Sequence, residues 1–415
     1  DRDLETKFDM KIKPRKQPLH LKMLAWVLSY SAFITQKQTL RKQGMDGVKP
    51  PYLLLCNHNA FLDFKVATKA IFPHGANYVV AIDGFIKREK LLRDVGCICK
   101  RKFTNDTMLV RHLLYAVKTL KQIVAVYPEA RYSLIGTNSP LPESLGKLVK
   151  LLNVPVVTLI TKGHFINSPF WNLHPRGNRV EADLKRIFSA EDVQTLSAGE
   201  IQTILEQSFI YDDYRWQKDA KVRIRYQKRA EGIHKVLYQC PSCKTEHRMN
   251  SKDHEIYCEA CGKRYAMDEY GVLHANQGET EFSHAPDWYE WERSEVRKEI
   301  ESGFYKIEDD VIVDSLPNAR GFISLGEGHL VHDENGFCLT YIEEGVKKTL
   351  LKPVSSMIAC HIEFDYNEKG DCVDLTTLED NYYAYFKTLK NVATKVHFAT
   401  EELYKRQSTQ GTIVE

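Results

Sequence analysis

An α/β domain, followed by a small four-cysteine metal module and a β-rich C-terminal region, is the fold that this 415-residue sequence predicts. Three observations carry it. Short apolar runs rich in β-branched residues alternate with amphipathic helical segments between Tyr52 and Ile160, as a sheet built from βα units requires. Two C-x-x-C pairs, Cys240 with Cys243 and Cys258 with Cys261, stand about fourteen residues apart. From Ile307 onward, strand-like runs follow one another with turn residues between them. With 43% hydrophobic residues the chain can bury sizeable cores, and its length suits two or three domains.

The first forty-four or so residues are basic. Within them the run from Leu19 to Ile34 is apolar but interrupted by Lys22, and it falls short of the roughly twenty residues that a membrane span needs. Lys11, Lys13, Arg15 and Lys16 precede it; Lys37, Arg41 and Lys42 follow. Apolar bulk between cationic flanks is the pattern of a helix lying in the membrane interface, with a soluble core helix as the alternative. Residues 1–44 are therefore read as a membrane-docking segment for an anionic surface. No small-residue cleavage site follows, which argues against a signal peptide.

Strands are expected at 52–56, 78–81, 97–99, 123–127 and 154–160, alternating with helices at 64–71, 88–94, 108–120 and 145–152. A strand near 179–187 and a helix near 198–207 complete a domain over residues 45–235. Such sheets gather their sites at strand carboxyl ends. The first strand ends in Asn57-His58-Asn59-Ala60-Phe61-Leu62-Asp63. A histidine there, with an aspartate five positions on, can serve as general base on a hydroxyl while Asp63 orients it and balances the imidazolium that forms. No other histidine in the chain has Asp at that offset.

Three further segments follow in order: Gly96-Cys97-Ile98-Cys99-Lys100-Arg101-Lys102, then Tyr127-Pro128-Glu129-Ala130-Arg131-Tyr132-Ser133 at the end of an apolar strand, then Val154-Pro155-Val156. Together the four blocks resemble the PlsC-like 1-acylglycerol-3-phosphate (lysophospholipid) acyltransferase superfamily, which carries N-H-x-x-x-x-D, a G…R segment, F-P-E-G-T-R-S and V-P-V in this order. The resemblance spans roughly residues 45 to 230, about half the chain. It implies transfer of a fatty acyl group from an acyl-CoA or acyl-carrier-protein thioester to a hydroxyl of a glycerophosphate-type lipid, lysophosphatidic acid first among them. His58 and Asp63 would be catalytic. Asn57, Arg101 or Lys102, Glu129, Arg131 and Ser133 would bind substrate. Two departures stand out: Ala130 replaces the family's glycine, and Arg131 sits one place early. The second block aligns its arginine with Lys102 without a gap and with Arg101 if one residue is missing. No G-x-S-x-G elbow places a nucleophile, so direct transfer is expected, with Cys56 a buried, inert strand residue.

The cysteine pairs Cys240, Cys243, Cys258 and Cys261 have the spacing of a paired-knuckle tetrahedral site, and Gly262 permits a tight backbone after the second. A structural Zn2+ ribbon over residues 236–275 is expected, with iron as the competing metal. His247 or His254 would be the substitute ligand if a cysteine were not used. The other cysteines show no pairing, so reduced thiols and a cytoplasmic-face, peripheral or monotopic location follow.

Over residues 280–415, a short helix at 287–302 precedes strands at 307–314, 321–325, 336–343, 346–351, 356–364, 372–377 and 381–386. This predicts an antiparallel barrel or sandwich, pleckstrin-homology-like in shape, that could meet a protein partner. The rival readings are a zinc-ribbon adaptor for nucleic acid or protein, and a non-catalytic lipid-binding scaffold. Nucleic acid is not expected: the ribbon's cations are offset by acids, and only Tyr257 and Tyr265 lie nearby for stacking.

Overall fold

The computed structural model describes residues 4, 6–36, 38–60 and 62–411; Lys37 and Phe61 lie outside the described residues. The chain divides into two compact units. Of the described residues, the N-terminal unit holds those within 9–100 and 106–224, and the C-terminal unit holds 4, 6–8, 101–105 and 225–411.

In the N-terminal unit the order is α1 (Leu19–Gln36), β1 (Thr39–Gln43), β2 (Leu53–Cys56), α2 (Leu62–Ala70), β3 (Ala76–Ala81), α3 (Glu89–Asp94), β4 (Ile98–Lys100), α4 (Thr107–Lys118), β5 (Ile123–Val126), α5 (Leu145–Leu152), β6 (Val156–Lys162), α6 (His164–Asn167), β7 (Glu181–Phe188), α7 (Ala190–Thr195), α8 (Ala198–Ser208) and α9 (Asp213–Asp219). The strands form one seven-stranded sheet in the order β1-β7-β6-β2-β5-β3-β4. β2 runs parallel to both β5 and β6, and only the β6–β7 pair is antiparallel. All four residues of β2 are buried, so both of its faces are covered, in keeping with its continuous apolar run. On one face Leu53, Leu55, Val124 and Val156 pack with Leu113 and Val117 of α4, Val149 and Leu152 of α5, and Ile201 and Leu205 of α8. Each such side chain contributes about 1.5–3 kcal/mol on burial.

Helix starts follow from local chemistry. Asp106 accepts the N–H groups of Met108 and Leu109 at 2.8 and 3.2 Å, which begins α4. Ser189 with Asp192, and Ser197 with Glu200, form capping boxes that begin α7 and α8. α1 leaves Leu19, Met23, Leu24, Val27 and Leu28 exposed. No helix among the described residues is long and apolar enough to cross a membrane.

The C-terminal unit opens with a four-stranded antiparallel sheet, β8 (Met249–Lys252), β9 (Glu255–Cys258), β10 (Arg264–Met267) and β11 (Leu273–Ala275), in the order β11-β10-β9-β8. After α10 (Ala285–Glu301) come β12 (Ile307–Ser315), β13 (Ile323–Asp333), β14 (Gly336–Glu343), β15 (Val346–Pro353), β16 (His361–Glu363), β17 (Cys372–Thr376) and β18 (Asn381–Phe386), then α11 (Ala393–Gly411). Two antiparallel meanders, β12 to β15 and β16 to β18, are joined by pairing of β12 with β18. α10 is tied to α11 by ion pairs, Arg293 to Glu401 at 2.5 Å and Arg297 to Glu402 at 2.7 Å. The whole is a mixed α/β chain with a parallel-rich sheet, a cysteine-cluster region and an antiparallel β-rich C-terminal region, in the order the sequence predicts.

Several elements differ from the sequence expectation. The strand expected at 356–364 is confined to His361–Glu363, and α6, α7 and α9 are not among the expected helices. β1 lacks alternation because it is an exposed edge strand that forms by pairing with β7. β13 runs on to Asp333, through Gly326 and Gly328 and beyond the end expected at 325. α11 is absent from the sequence reading altogether.

Candidate active site and metal-ligand cluster

The carboxyl ends of the three adjacent strands β2, β5 and β6 deliver one cluster of side chains, all within the N-terminal unit. His58 and Asp63 come from the β2–α2 turn, Glu129 and Arg131 from the loop after β5, and Thr161 and His164 from the end of β6.

Asp63 is fully buried at the start of α2. Its Oδ2 accepts the backbone N–H groups of Asn59 at 2.6 Å and Ala60 at 2.9 Å, and lies 3.3 Å from His58 Nδ1. Its Oδ1 lies 2.6 Å from His164 Nδ1 and 3.4 Å from Thr161 Oγ1. Burial works to raise the pKa of this carboxyl, but the hydrogen bonds from His164 and His58 outweigh it and hold Asp63 well below the usual carboxylate range. Asp63 is therefore an anion with every contact donated to it.

His58 has Nδ1 committed to Asp63 and is 23% exposed, and among the described residues no partner takes its Nε2. That nitrogen is the one available to a substrate proton. The ring packs against those of Tyr127 and Tyr132, at centroid separations of 4.5 and 4.1 Å. Its backbone is fixed as well: His58 N donates to Glu129 Oε1 at 3.3 Å, and His58 O accepts from Ser133 N at 2.9 Å.

Asn57 is buried, and its side chain bridges β2 to β6: Oδ1 accepts Thr161 N at 2.8 Å and Nδ2 donates to Thr161 O at 3.0 Å. Glu129 Oε2 accepts Ser139 N at 2.6 Å. Burial pushes the Glu129 carboxyl up to about 7, against the pull of Ser139, His58 and Arg131. Arg131 is buried beside it, with Nε donating to Ser139 Oγ at 3.3 Å. Ser133 Oγ donates to Thr137 O at 2.7 Å and accepts Gly136 N at 2.9 Å, closing the loop. Ala130, where the family motif has glycine, takes a left-handed φ of 59°.

Arg101 and Lys102 are placed in the C-terminal unit. The buried Arg101 guanidinium donates to the carbonyls of Leu316, Pro317 and Glu379 and to Asn381 Oδ1. Lys102 Nζ lies 3.0 Å from His361 Nε2.

His164 is the residue that sequence reasoning missed. It has no aspartate at the offset that singles out His58, but it follows the last strand of the 154–160 run at its carboxyl end, and strand-end position was the usable signal. Asp213 was missed too. It accepts the N–H groups of Gly163 and Phe165, both at 3.0 Å, and so begins α6; burial raises its carboxyl to about 7.

In the C-terminal unit the four cysteines Cys240, Cys243, Cys258 and Cys261 present sulfurs that all lie within 4.8 Å of one another, and they can hold a metal ion. The two knuckles fold alike. Cys240 N donates to Thr245 O and Lys244 N to Cys240 O; Cys258 N donates to Lys263 O and Gly262 N to Cys258 O. Lys244 and Gly262 take the same left-handed turn, with φ of 65° and 77°. The Cys240–Cys261 and Cys243–Cys258 sulfur separations are both 3.7 Å. A zinc ion with four bonds of about 2.3 Å in a tetrahedron requires sulfur separations of about 3.8 Å, so the donor set fits. His247 lies outside this set, with Nδ1 3.1 Å from Asn391 O.

No protein-family model matches the chain. No curated protein matches its sequence. Among solved structures it is similar to that of the 1-acyl-sn-glycerophosphate (LPA) acyltransferase, PlsC, from Thermotoga maritima, with 14% identity over 46% of this chain and 77% of that one and a TM-score of 0.37.

Proposed function

We propose that this protein is an O-acyltransferase that moves a fatty acyl group from an acyl-CoA or acyl-carrier-protein thioester to a hydroxyl of a glycerophosphate-type lipid, with lysophosphatidic acid the leading acceptor. The observation that carries the reading is the His58–Asp63 pair, a partly exposed imidazole whose Nδ1 faces a buried carboxylate and whose Nε2 is open. In the reaction, His58 Nε2 takes the proton of the acceptor hydroxyl as its oxygen bonds to the thioester carbonyl carbon. The tetrahedral adduct collapses with cleavage of the C–S bond, and the proton passes from His58 to the departing thiolate. Asp63 holds the imidazole in one tautomer and balances its charge in between. Arg131 is the cation of this unit assigned to the acceptor's phosphate, with Glu129 and Ser133 shaping the loop that carries it.

The exposed apolar face of α1, beside Lys11, Lys13, Arg15 and Lys16, supports docking on an anionic membrane surface. The four-thiolate cluster needs reduced cysteines, which supports the cytoplasmic face. Cys240, Cys243, Cys258 and Cys261 would hold Zn2+, which with four sulfur ligands stabilises the fold and leaves no position for substrate.

Purified protein incubated with a series of lysolipids and labelled acyl-CoA or acyl-carrier protein, with products read by mass spectrometry, tests the assignment. Acylated phospholipid should form. His58→Ala should lower turnover by about a hundredfold to ten-thousandfold, and Asp63→Asn should approach it. Near-normal turnover by a well-folded His58→Ala protein would sink the mechanism, and lipid binding without any product would favour the scaffold.

A further inference from the structure

We propose that His164 is a positioning residue for the acyl transfer, the buried third member of a His58–Asp63–His164 array. The inference rests on the acyltransferase reading. The two oxygens of Asp63 are divided between the two imidazoles: Oδ2 faces His58, while Oδ1 faces His164 at 2.6 Å, the shorter of the two contacts. Thr161 Oγ1 also lies 3.4 Å from Oδ1, so His164 supplies the closer of the two contacts that stop the carboxylate turning about its last torsion and keep Oδ2 facing His58.

The surroundings of His164 fix it from several directions. The residue has no solvent exposure. Its backbone lies between the two N–H groups, Gly163 and Phe165, that Asp213 accepts. Gly163 takes φ of 81°, and a Cβ there would meet the Trp216 ring at 2.6 Å and the Arg179 carbonyl at 2.9 Å, so the turn that delivers His164 accepts only glycine. Nε2 of His164 is buried with no hydrogen-bond partner among the described residues. The ring's polar contact is with Asp63, through Nδ1 at 2.6 Å. His164 touches no position open to substrate, so it acts through Asp63.

The test measures kcat and both KM values with lysophosphatidic acid and acyl-CoA in wild type, His164→Ala, His164→Asn, His58→Ala and the His58→Ala/His164→Ala double variant, with circular dichroism and thermal unfolding of each. His164→Ala should lower kcat by about a hundredfold while both KM values change less than about threefold. His164→Asn, whose amide can donate to Asp63 from nearly the same place as Nδ1, should recover kcat to within about tenfold of wild type. In the double variant His164→Ala should cost nothing further, because its effect passes through His58. If His58→Ala is inactive but His164→Ala turns over like wild type, or if the two losses multiply, the positioning role is overturned. If His164→Ala and His164→Asn both fail to fold, His164 is a packing residue and the proposal falls. Wild-type protein without transferase activity, or a fully active His58→Ala, would instead overturn the acyltransferase reading on which this rests.

Discussion

The Glu129 carboxylate accepts the backbone N–H of His58 at 3.3 Å, so the acid at the end of β5 holds in place the base at the end of the neighbouring β2. Its carboxyl is pushed by burial up to about 7, above the ordinary value of 4.5. A proton is then held in the folded state at pH values where the unfolded chain has released it, so this group's contribution to stability falls as pH rises from about 4.5 to about 7, by roughly 3 kcal/mol in all. Glu129→Gln does not titrate. Urea midpoints from pH 5 to pH 8 should show the variant gaining on wild type by up to that amount; Asp213, raised for the same reason, is present in both proteins and cancels in the difference. A difference that stays constant across the range would mean that Glu129 is ionised throughout.

Arg101 is expected to matter for folding of the C-terminal unit. Its guanidinium serves the carbonyls of Leu316, Pro317 and Glu379 together with Asn381, whose own amide is bonded to Asp374. Arg101→Ala strands these buried acceptors and should cost about 3–5 kcal/mol, read as a lowered thermal transition of that unit. Arg101→Lys should recover little, because a single ammonium cannot span the fork. An Arg101→Ala protein of unchanged stability but raised acceptor KM would return this residue to substrate binding.

The readable parts of this chain were those whose signal is local. Leu53 to Cys56 is a buried strand because it is apolar throughout, and the C-x-x-C pairs bring four sulfurs together because each knuckle closes within five residues. What the sequence could not show is pairing across distance. His164 lies 101 residues from Asp63, and Arg101 meets Asn381 across 280. β1 is polar and exposed and exists through its register with β7, and α11 packs on α10 through ion pairs that no periodicity announces.

Ala130 is a site where stability can be gained. At φ of 59° a residue with a Cβ carries about 1–2 kcal/mol of strain that glycine does not. Glycine also loosens the unfolded chain, by about 0.4–1 kcal/mol. Ala130→Gly should therefore stabilise the N-terminal unit by up to about 1 kcal/mol, measured by urea unfolding. A clear loss of stability would show that the Ala130 methyl group makes packing contacts worth more than the strain.

The cysteine cluster should be metal-bound, structural and separate from the chemistry at His58. Sulfur separations of 3.7 Å match a zinc tetrahedron, and a four-stranded ribbon of this size has little apolar area with which to hold itself. Elemental analysis should find about one equivalent of zinc, with metal–sulfur distances near 2.3 Å by X-ray absorption. Cys258, the buried member of the second knuckle, is the informative substitution: Cys258→Ser should lower thermal stability and soluble yield while turnover per folded molecule stays near that of wild type. Removal of the metal by a chelator should likewise unfold the ribbon before activity declines. If chelation stopped catalysis at once with the fold intact, the metal would belong to the reaction, and the role given to His58 as the sole base would have to be rebuilt.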